Sequence, residues 1–393
     1  MTTHINRKSH RVWIGRRPSA VRQPLKPRPA EGFLPRCGAR RPGMALATQR
    51  VTRRFASSGD MAIMLVEQYY DFHRSLAARS MKGESMNAPL WRHDETGGAA
   101  SPVAQPGGAG WHASLDLAFA RRAEATIPVL RSHRGPLRVQ KGFTPEGPGL
   151  WHQVIVHPPG GIASGDRLDI SVVAHEGARA LITSPGAAKW YRANPEAAQP
   201  VAHQSVRLSV ADGASLEWLP LETIVFDGAV ADWSTRIELA GSGTLVAADL
   251  VCLGRPASGL RFMSGEILSR MEIRRDGRLV FVEQASIEGQ SPILTARAGL
   301  AGLPAFATMV IAAAPDACAQ MVEQVRRLQA ESRSAQNDRL AGDWAITGLP
   351  GLAVLRWRGD GAEAGWRVLR TAWAACRPIA IGREACAPRI WAT

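Results

Sequence analysis

Residues 157–192 read HPPGGIASGDRLDISVVAHEGARALITSPGAAKWYR, and the fold class turns on them. Gly/Pro-rich turns at 157–166 and 184–189 bracket two runs, 168–174 and 178–183, rich in β-branched and apolar residues. Such side chains fit a pleated, half-buried surface, and Gly and Pro punctuate it. The same alternation extends outward in both directions. It predicts strands at 114–119, 126–131, 137–142, 150–156, 203–210, 215–219, 223–226, 235–239, 245–251, 260–274 and 279–288. Asp212 with Gly213, Asp227 with Gly228 and Asp276 with Gly277 mark turns between them.

This pattern predicts a mainly β fold, either a sandwich or a stacked-sheet, β-helix-like domain, with no repeat regular enough to decide which. Two C-terminal α-helices follow, near 316–331 and 362–377. Pro315 suits a first helical position, and Cys318, Met321, Val322, Val325 and Leu328 recur at helical spacing. Trp366, Leu369, Trp373 and Cys376 share one face of the second helix, which is expected to stop before Pro378. Two strands are predicted between the helices, at 344–347 and 353–357.

The chain has 393 residues, 45% of them hydrophobic, enough for a sizeable core. Its net charge of +14 is unevenly spread. Residues 1–100 hold 18 Lys/Arg against 7 Asp/Glu, and the remainder 30 against 27. The basic excess therefore belongs to the N-terminal arm. Residues 1–60 are Arg- and Pro-rich with Glu31 and Asp60 as their only carboxylates. A nucleic-acid arm or transit peptide has this composition, as does a disordered or untranslated stretch. Residues 61–80, opening MAIMLVEQ, are similar to a late strand and helix of ABC transporter ATPases. Residues 1–110 thus read as a disordered basic extension with a misjoined or mis-assigned start, the true start falling at Met86, and 111–393 as the β-rich domain.

Five cysteines form no CxxC pair and read as reduced, in a cytoplasmic protein. No apolar run reaches the length of a membrane helix. The segment 160–165 has the G-x-x-x-x-G spacing of a P-loop, but Asp166 and Arg167 stand where Lys and Ser/Thr are required, which excludes nucleotide binding there. His152 and His157 fall on opposite faces of a regular strand, poorly spaced for a metal pair. Glu217, Glu222 and Asp227 recur every fifth residue around Pro220, so their mutual orientation is open. They are either edge charges or carboxylates facing a passage or a partner.

Eight motifs in order carry a further reading: GPLRVQK at 135–141, HPPGG at 157–161, GDRLDI at 165–170, TSPG at 183–186, LEWLP at 216–220, ETIVFDGA at 222–229, CLGRP at 252–256 and PRIW at 388–391. Over about residues 111–393 the chain resembles the UreD family of urease accessory proteins, called UreH in some organisms. Ser164 replaces the family's usual Gly, Ala188 and Trp190 a Thr and a Phe, and Leu221 a Gln. Ser164 would be strained if that position needed a positive φ.

The resemblance implies a non-enzymatic scaffold that works with UreF and UreG on the urease structural subunits (UreABC) and helps deliver nickel. A water-filled tunnel has been proposed as the metal's route in this family. No cofactor is expected to be tightly bound, nickel being in transit, and neither nucleic acid nor membrane is an expected partner. Nickel is held tightly by His and Cys, so oxygen donors suit a transient path better. Asp166, Glu217, Glu222 and Asp227, inside the matching motifs, are the candidate ligands. Asp166 is alternatively the cap of its own turn. Lys189, Tyr191, Arg192, Trp366 and Trp373 are the candidate partner contacts. The competing readings are a hydrolase using the acidic residues around the Gly-rich turn, and a nucleic-acid binder using the arm.

Overall fold

The computed structural model describes residues 110–334 and 340–392. The basic extension up to residue 109, Met86 included, lies outside the described residues.

The chain runs β1 (His112–Arg122), β2 (Ala125–Arg134), β3 (Arg138–Val139), β4 (Trp151–Val156), β5 (Arg167–Ala174), β6 (Arg179–Thr183), β7 (Ala188–Trp190), β8 (Ala202–Val210), β9 (Ser215–Leu219), β10 (Thr223–Val225), β11 (Val230–Leu239), β12 (Thr244–Leu253), β13 (Glu266–Arg275) and β14 (Arg278–Glu288). There follow a one-turn helix α1 (Pro292–Thr295), then β15 (Ala305–Ala312), α2 (Pro315–Ser334), β16 (Asp343–Leu349), β17 (Leu352–Gly359) and α3 (Ala362–Ile381). One sheet has the order β14-β13-β11-β8-β5-β1-β2; the other runs β16-β17-β15-β12-β9-β6-β4-β3, with β10 on β12 and β7 on β10.

The order explains why two-period patterning could not separate a sandwich from a solenoid. From β4 to β13 the main strands alternate between the sheets, and those of each sheet pair in parallel, as β5 with β8 and β6 with β9. The centre is therefore a two-sided coil in which each strand crosses to the opposite sheet. Antiparallel strands finish its rims: β2 on β1, β14 on β13, and β15, β17 and β16 beyond β12. The stacked-sheet, mainly β expectation with C-terminal helices holds.

Alternation along β5, with every second residue buried, places Leu168, Ile170, Val172 and Ala174 inward. They join Leu208, Ile237, Ile273, Ala180 and Leu245 in a core between the sheets. Apart from Thr244 and Asp249, β12 is buried and apolar on both faces, because Val246, Ala248, Leu250 and Cys252 on its other side meet α2 and α3. A strand buried on both faces reads as a continuous apolar run. β15, AFATMVIA, is the same case and is absent from the strands expected from alternation. Burying an aliphatic side chain contributes roughly 1.5–3 kcal/mol, so the two cores dominate the fold's stability.

Three local expectations need correction. The predicted strand 260–274 begins only at Glu266, because Arg255 and Leu260 close an isolated bridge that makes 256–265 a loop. Ala188 and Lys189, read as turn, form strand β7 together with Trp190, recruited by β10. α3 passes through Pro378 and ends at Gly382, whose φ of +66° suits a left-handed cap donating to the Pro378 carbonyl. Continuation buries Ile381, which offsets the hydrogen bond that proline cannot donate.

Candidate functional site

The two ends of the coil differ. At one end the crossings are short: 175–178, 211–214 and 240–243. They stack in register, with Ala211 N donating to Ala174 O, Ala240 N to Val210 O and Asp276 N to Leu239 O, each 2.9 Å. The opposite end holds the long crossings and, with them, most of the motifs.

There Asp166 ties two segments. Its Oδ1 accepts from Trp111 N at 2.7 Å and its Oδ2 from Ala163 N at 2.8 Å, and it is buried. Gly165 stands at φ +78°, as the turn requires. Ser164 is not among the positive-φ residues, so it is unstrained; its hydroxyl accepts from Asn194 N at 2.7 Å. Gly161 is needed for close approach, since a Cβ there would lie 2.1 Å from the Tyr191 ring. Burial holds His157 below the ordinary imidazole range, against the pull of Asp166.

Asp227 organises the neighbouring loop. Its Oδ1 accepts from Met263 N and Ser264 N, both at 2.8 Å, and its Oδ2 from Arg192 at 2.5 Å. Burial alone would raise this carboxyl, but those hydrogen bonds and Arg192 outweigh it and lower its pKa. Tyr191 packs edge-on against Phe226 at 5.1 Å. Tyr191 and Arg192 are exposed, whereas Lys189 is half-buried in β7.

Glu217 and Glu222 lie elsewhere, under α3. Glu217 is 1% exposed; Trp373 Nε1 donates to it at 2.6 Å, and Arg377 at 3.0–3.2 Å. Arg377, 0% exposed, also donates to both oxygens of Glu146 at 2.7 Å and to the Glu384 carbonyl. His152 Nε2 completes the cluster 2.8 Å from Glu146. Burial pushes the Glu146 carboxyl up, but bonds from His152 and Arg377 and the charge of Arg377 bring it down to about 2. The same carboxylates hold the Arg377 guanidinium charged despite its burial. Glu222 accepts from Trp366 Nε1 at 3.0 Å. Trp366 and Trp373, expected at a contact surface, are therefore interior: each is buried with its indole N–H spent on a carboxylate. Of the four candidate ligand carboxylates, Asp166 and Asp227 share the long-loop end and Glu217 and Glu222 share the helix layer.

A second polar feature, half-buried, lies at the margin of the core between the sheets. On β12, Asp249 follows the inward face of Ala247 and Val251. Its direct cross-strand neighbour is Thr308, and that of Thr308 is Arg356. Arg356 reaches across to Glu283 of the other sheet at 2.8 Å, and Trp233 Nε1 donates to Asp249 at 3.4 Å. Burial pushes Asp249 up to about 6, with Glu283 adding to the shift.

The cysteines in reach are poor ligands. Burial pushes Cys252 up to about 11 and Cys376 up to about 12, so both remain thiols at neutral pH, whereas thiolates bind metals. Among the described residues no group of three or more His, Cys, Asp or Glu could hold a metal ion. No helix among them is long and apolar enough to cross a membrane. What remains chemically is a set of singly placed oxygen donors and an exposed loop surface.

Sequence reading missed Arg377, Glu146, Asp249, Glu283 and Arg356. Two of these left a signal. Asp249 is the lone charge in the apolar run TLVAADLVCL, and Arg377 lies four residues after Trp373 on the same helix face. The others depend on partners far away in sequence.

The family model for the UreD urease accessory protein matches residues 112–392. The urease accessory protein UreD of Pseudomonas fluorescens (strain Pf0-1) is 50% identical over 283 residues, covering 72% of this chain and 95% of that protein. Its counterpart in Azoarcus sp. (strain BH72) is 43% identical over 291 residues, 74% of this chain and 96% of its own. That of Pseudomonas aeruginosa (strain PAO1) is 46% identical over 284 residues, with 72% and 95% covered.

Proposed function

The chain belongs to the UreD family of urease accessory proteins, which gives it a role in urease maturation, and from that premise we propose that it is a non-catalytic scaffold for nickel delivery. In this reading it assembles with UreF and UreG on the urease structural subunits, and nickel is cargo rather than a resident cofactor.

The observation that carries the nickel reading is a half-buried polar row at the margin of the core between the sheets. Asp249, Thr308 and Glu283 line it, with the Trp233 N–H beside them. Burying a carboxyl unsupported by a cation is unfavourable, and Arg356 is already paired with Glu283. An aquated divalent cation entering the row would favour the ionised form of Asp249. Single oxygen donors release nickel more readily than imidazole or thiolate. Of the four carboxylates singled out in sequence, Glu222 has one N–H donor on one oxygen, and it is the second waypoint in this reading. Asp166, Glu217 and Asp227 spend both oxygens on N–H donors, so they act as positioning residues.

The test is complementation. A urease operon lacking its own UreD is supplied with this full chain in nickel-containing medium, and urease activity and bound nickel are measured. Both are expected to be restored. Failure with the chain's own urease and accessory proteins present would refute the maturation role. Asp249→Asn, nearly isosteric and without the desolvated charge, is expected to slow nickel loading several-fold while Tm holds or rises. Loading at the wild-type rate would remove the polar row from the route.

A further inference from the structure

On the long-loop end, three guanidiniums surround a groove between the loop 254–265 and the turn at Asp227. We propose that this groove, framed by Arg192, Arg255 and Arg261, receives an acidic segment of a partner protein, with an apolar side chain of that segment seated against Leu260 and Met263. The inference deepens the maturation reading and rests on it, since it assigns a surface for one of the proteins that maturation requires.

Charge is the first argument. The groove holds three arginines and a single carboxylate, Asp227. That carboxylate is already committed, with Oδ1 taking the N–H groups of Met263 and Ser264 and Oδ2 taking Arg192. Arg255 lies over the Phe226 ring, 4.9 Å from its centre, and forms no ion pair among the described residues. Arg261 is exposed and likewise forms none there. Two guanidinium forks therefore face solvent without a counter-charge, and such forks match carboxylates in pairs of hydrogen bonds.

Rigidity is the second. Arg255 N donates to Leu260 O at 2.8 Å and Leu260 N returns to Arg255 O at 3.1 Å. Gly254, at φ +76°, brings this small loop against Phe262, because a Cβ there would meet Leu260 O at 2.5 Å. A preformed loop loses little entropy on binding. Leu260 and Met263 are 45% and 50% exposed, which is unusual for side chains held on such a loop. Met packs adaptably against varied apolar surfaces.

The composition favours protein over nucleic acid. The groove's one aromatic lining residue, Phe226, already has Arg255 over its ring and Tyr191 against it, and its exposed apolar side chains, Leu260 and Met263, are not the flat faces on which bases stack. Beyond residue 100 the chain carries 30 Lys/Arg against 27 Asp/Glu, too balanced for a phosphate-tracking surface.

The experiment uses the purified full chain and an array of overlapping peptides. These tile the urease subunits, the accessory proteins encoded with them, and this chain itself. The peptides retained are expected to be acidic with an aliphatic or aromatic residue, and to be displaced by salt. The double variant Arg255→Glu/Arg261→Glu is expected to bind them about tenfold more weakly or worse, the loss of a guanidinium hot spot. Leu260→Glu, a single exposed change, gives the same direction if the double variant does not fold. Arg207→Glu, on the outer face of the seven-stranded sheet, leaves binding unchanged. The proposal is overturned if no acidic peptide from the other proteins binds, if the charge-reversed chain binds as the wild type does, or if single-stranded DNA displaces the peptides at lower concentration than salt-matched polyglutamate. In the urease complementation, a wild-type chain that activates nothing defeats the maturation reading. A wild type and a double variant that activate equally defeat only the groove.

Discussion

The two ends of the coil are built from the same strands yet behave as different materials. At the short end, crossings of about one turn copy one another, and their backbone groups are satisfied by the crossing above or below. Asp212 links two of them by accepting from Ser242 N at 2.8 Å and Ser242 Oγ at 2.7 Å. At the long end the crossings differ in length and sequence, and side chains rather than copied backbone turns hold them: Asp166, Asp227 and the Gly161–Tyr191 contact. A repeated crossing stabilises the coil and leaves little to recognise. An unrepeated one presents a specific surface, as loops on rigid scaffolds do.

The largest effect should come from the helix layer packed on β12, β15 and β17. Glu217→Ala leaves Arg377 with half its counter-charge in a buried site, and should cost roughly 3–5 kcal/mol, read from denaturant unfolding. A companion Glu217→Leu/Arg377→Met chain should recover much of that loss. If it did not, the cluster's value would lie in more than charge pairing.

Glycine exchanges compare the ends directly. Gly254→Ala on the long end combines φ +76° with a Cβ 2.5 Å from Leu260 O. It should cost about 2 kcal/mol or more and reduce urease activation. Gly213→Ala on the short end has φ +64° but only Gly177 N, at 4.0 Å, as a neighbour. It should cost about 1 kcal/mol and leave activation untouched. Equal losses of activation would erase the distinction between the ends.

The pH profile gives a smaller, signed effect. Glu146 sits at about 2 in the fold against an ordinary 4.5. A depressed folded value means the unfolded chain takes up the proton first. Its contribution is thus complete above 4.5 and fades as pH falls toward 2. Thermal unfolding followed across that window should show a loss that Glu146→Gln flattens.

The smallest expected change is at the short end. Asp212→Asn removes a charge that accepts Ser242 N and Oγ, with the carboxyl lowered by those bonds. The midpoint should fall slightly, and urease activation should stay at the wild-type level.

Much of the fold was legible because alternation is a local property. The runs at 168–174 and 178–183 declared strands from β-branched content alone. Which sheet each joins was not legible, since a crossing strand and a hairpin strand share one period. β15 escaped because burial on both faces erases alternation. Motif positions marked the long-loop end, yet sequence could not separate Asp227, which faces solvent on a loop, from Glu217, whose partner Arg377 lies 160 residues away. Trp366 and Trp373 looked like contact residues because a large aromatic stripe on a terminal helix reads alike for a core and an interface.

Hydrogen exchange on the full chain, free and then assembled with urease and its accessory proteins, tests the division between the two ends most directly. Protection should concentrate in residues 184–201, 220–228 and 254–265, with 175–178, 211–214 and 240–243 exchanging as in the free chain. Protection confined to the short crossings, with the long ones unchanged, would contradict it.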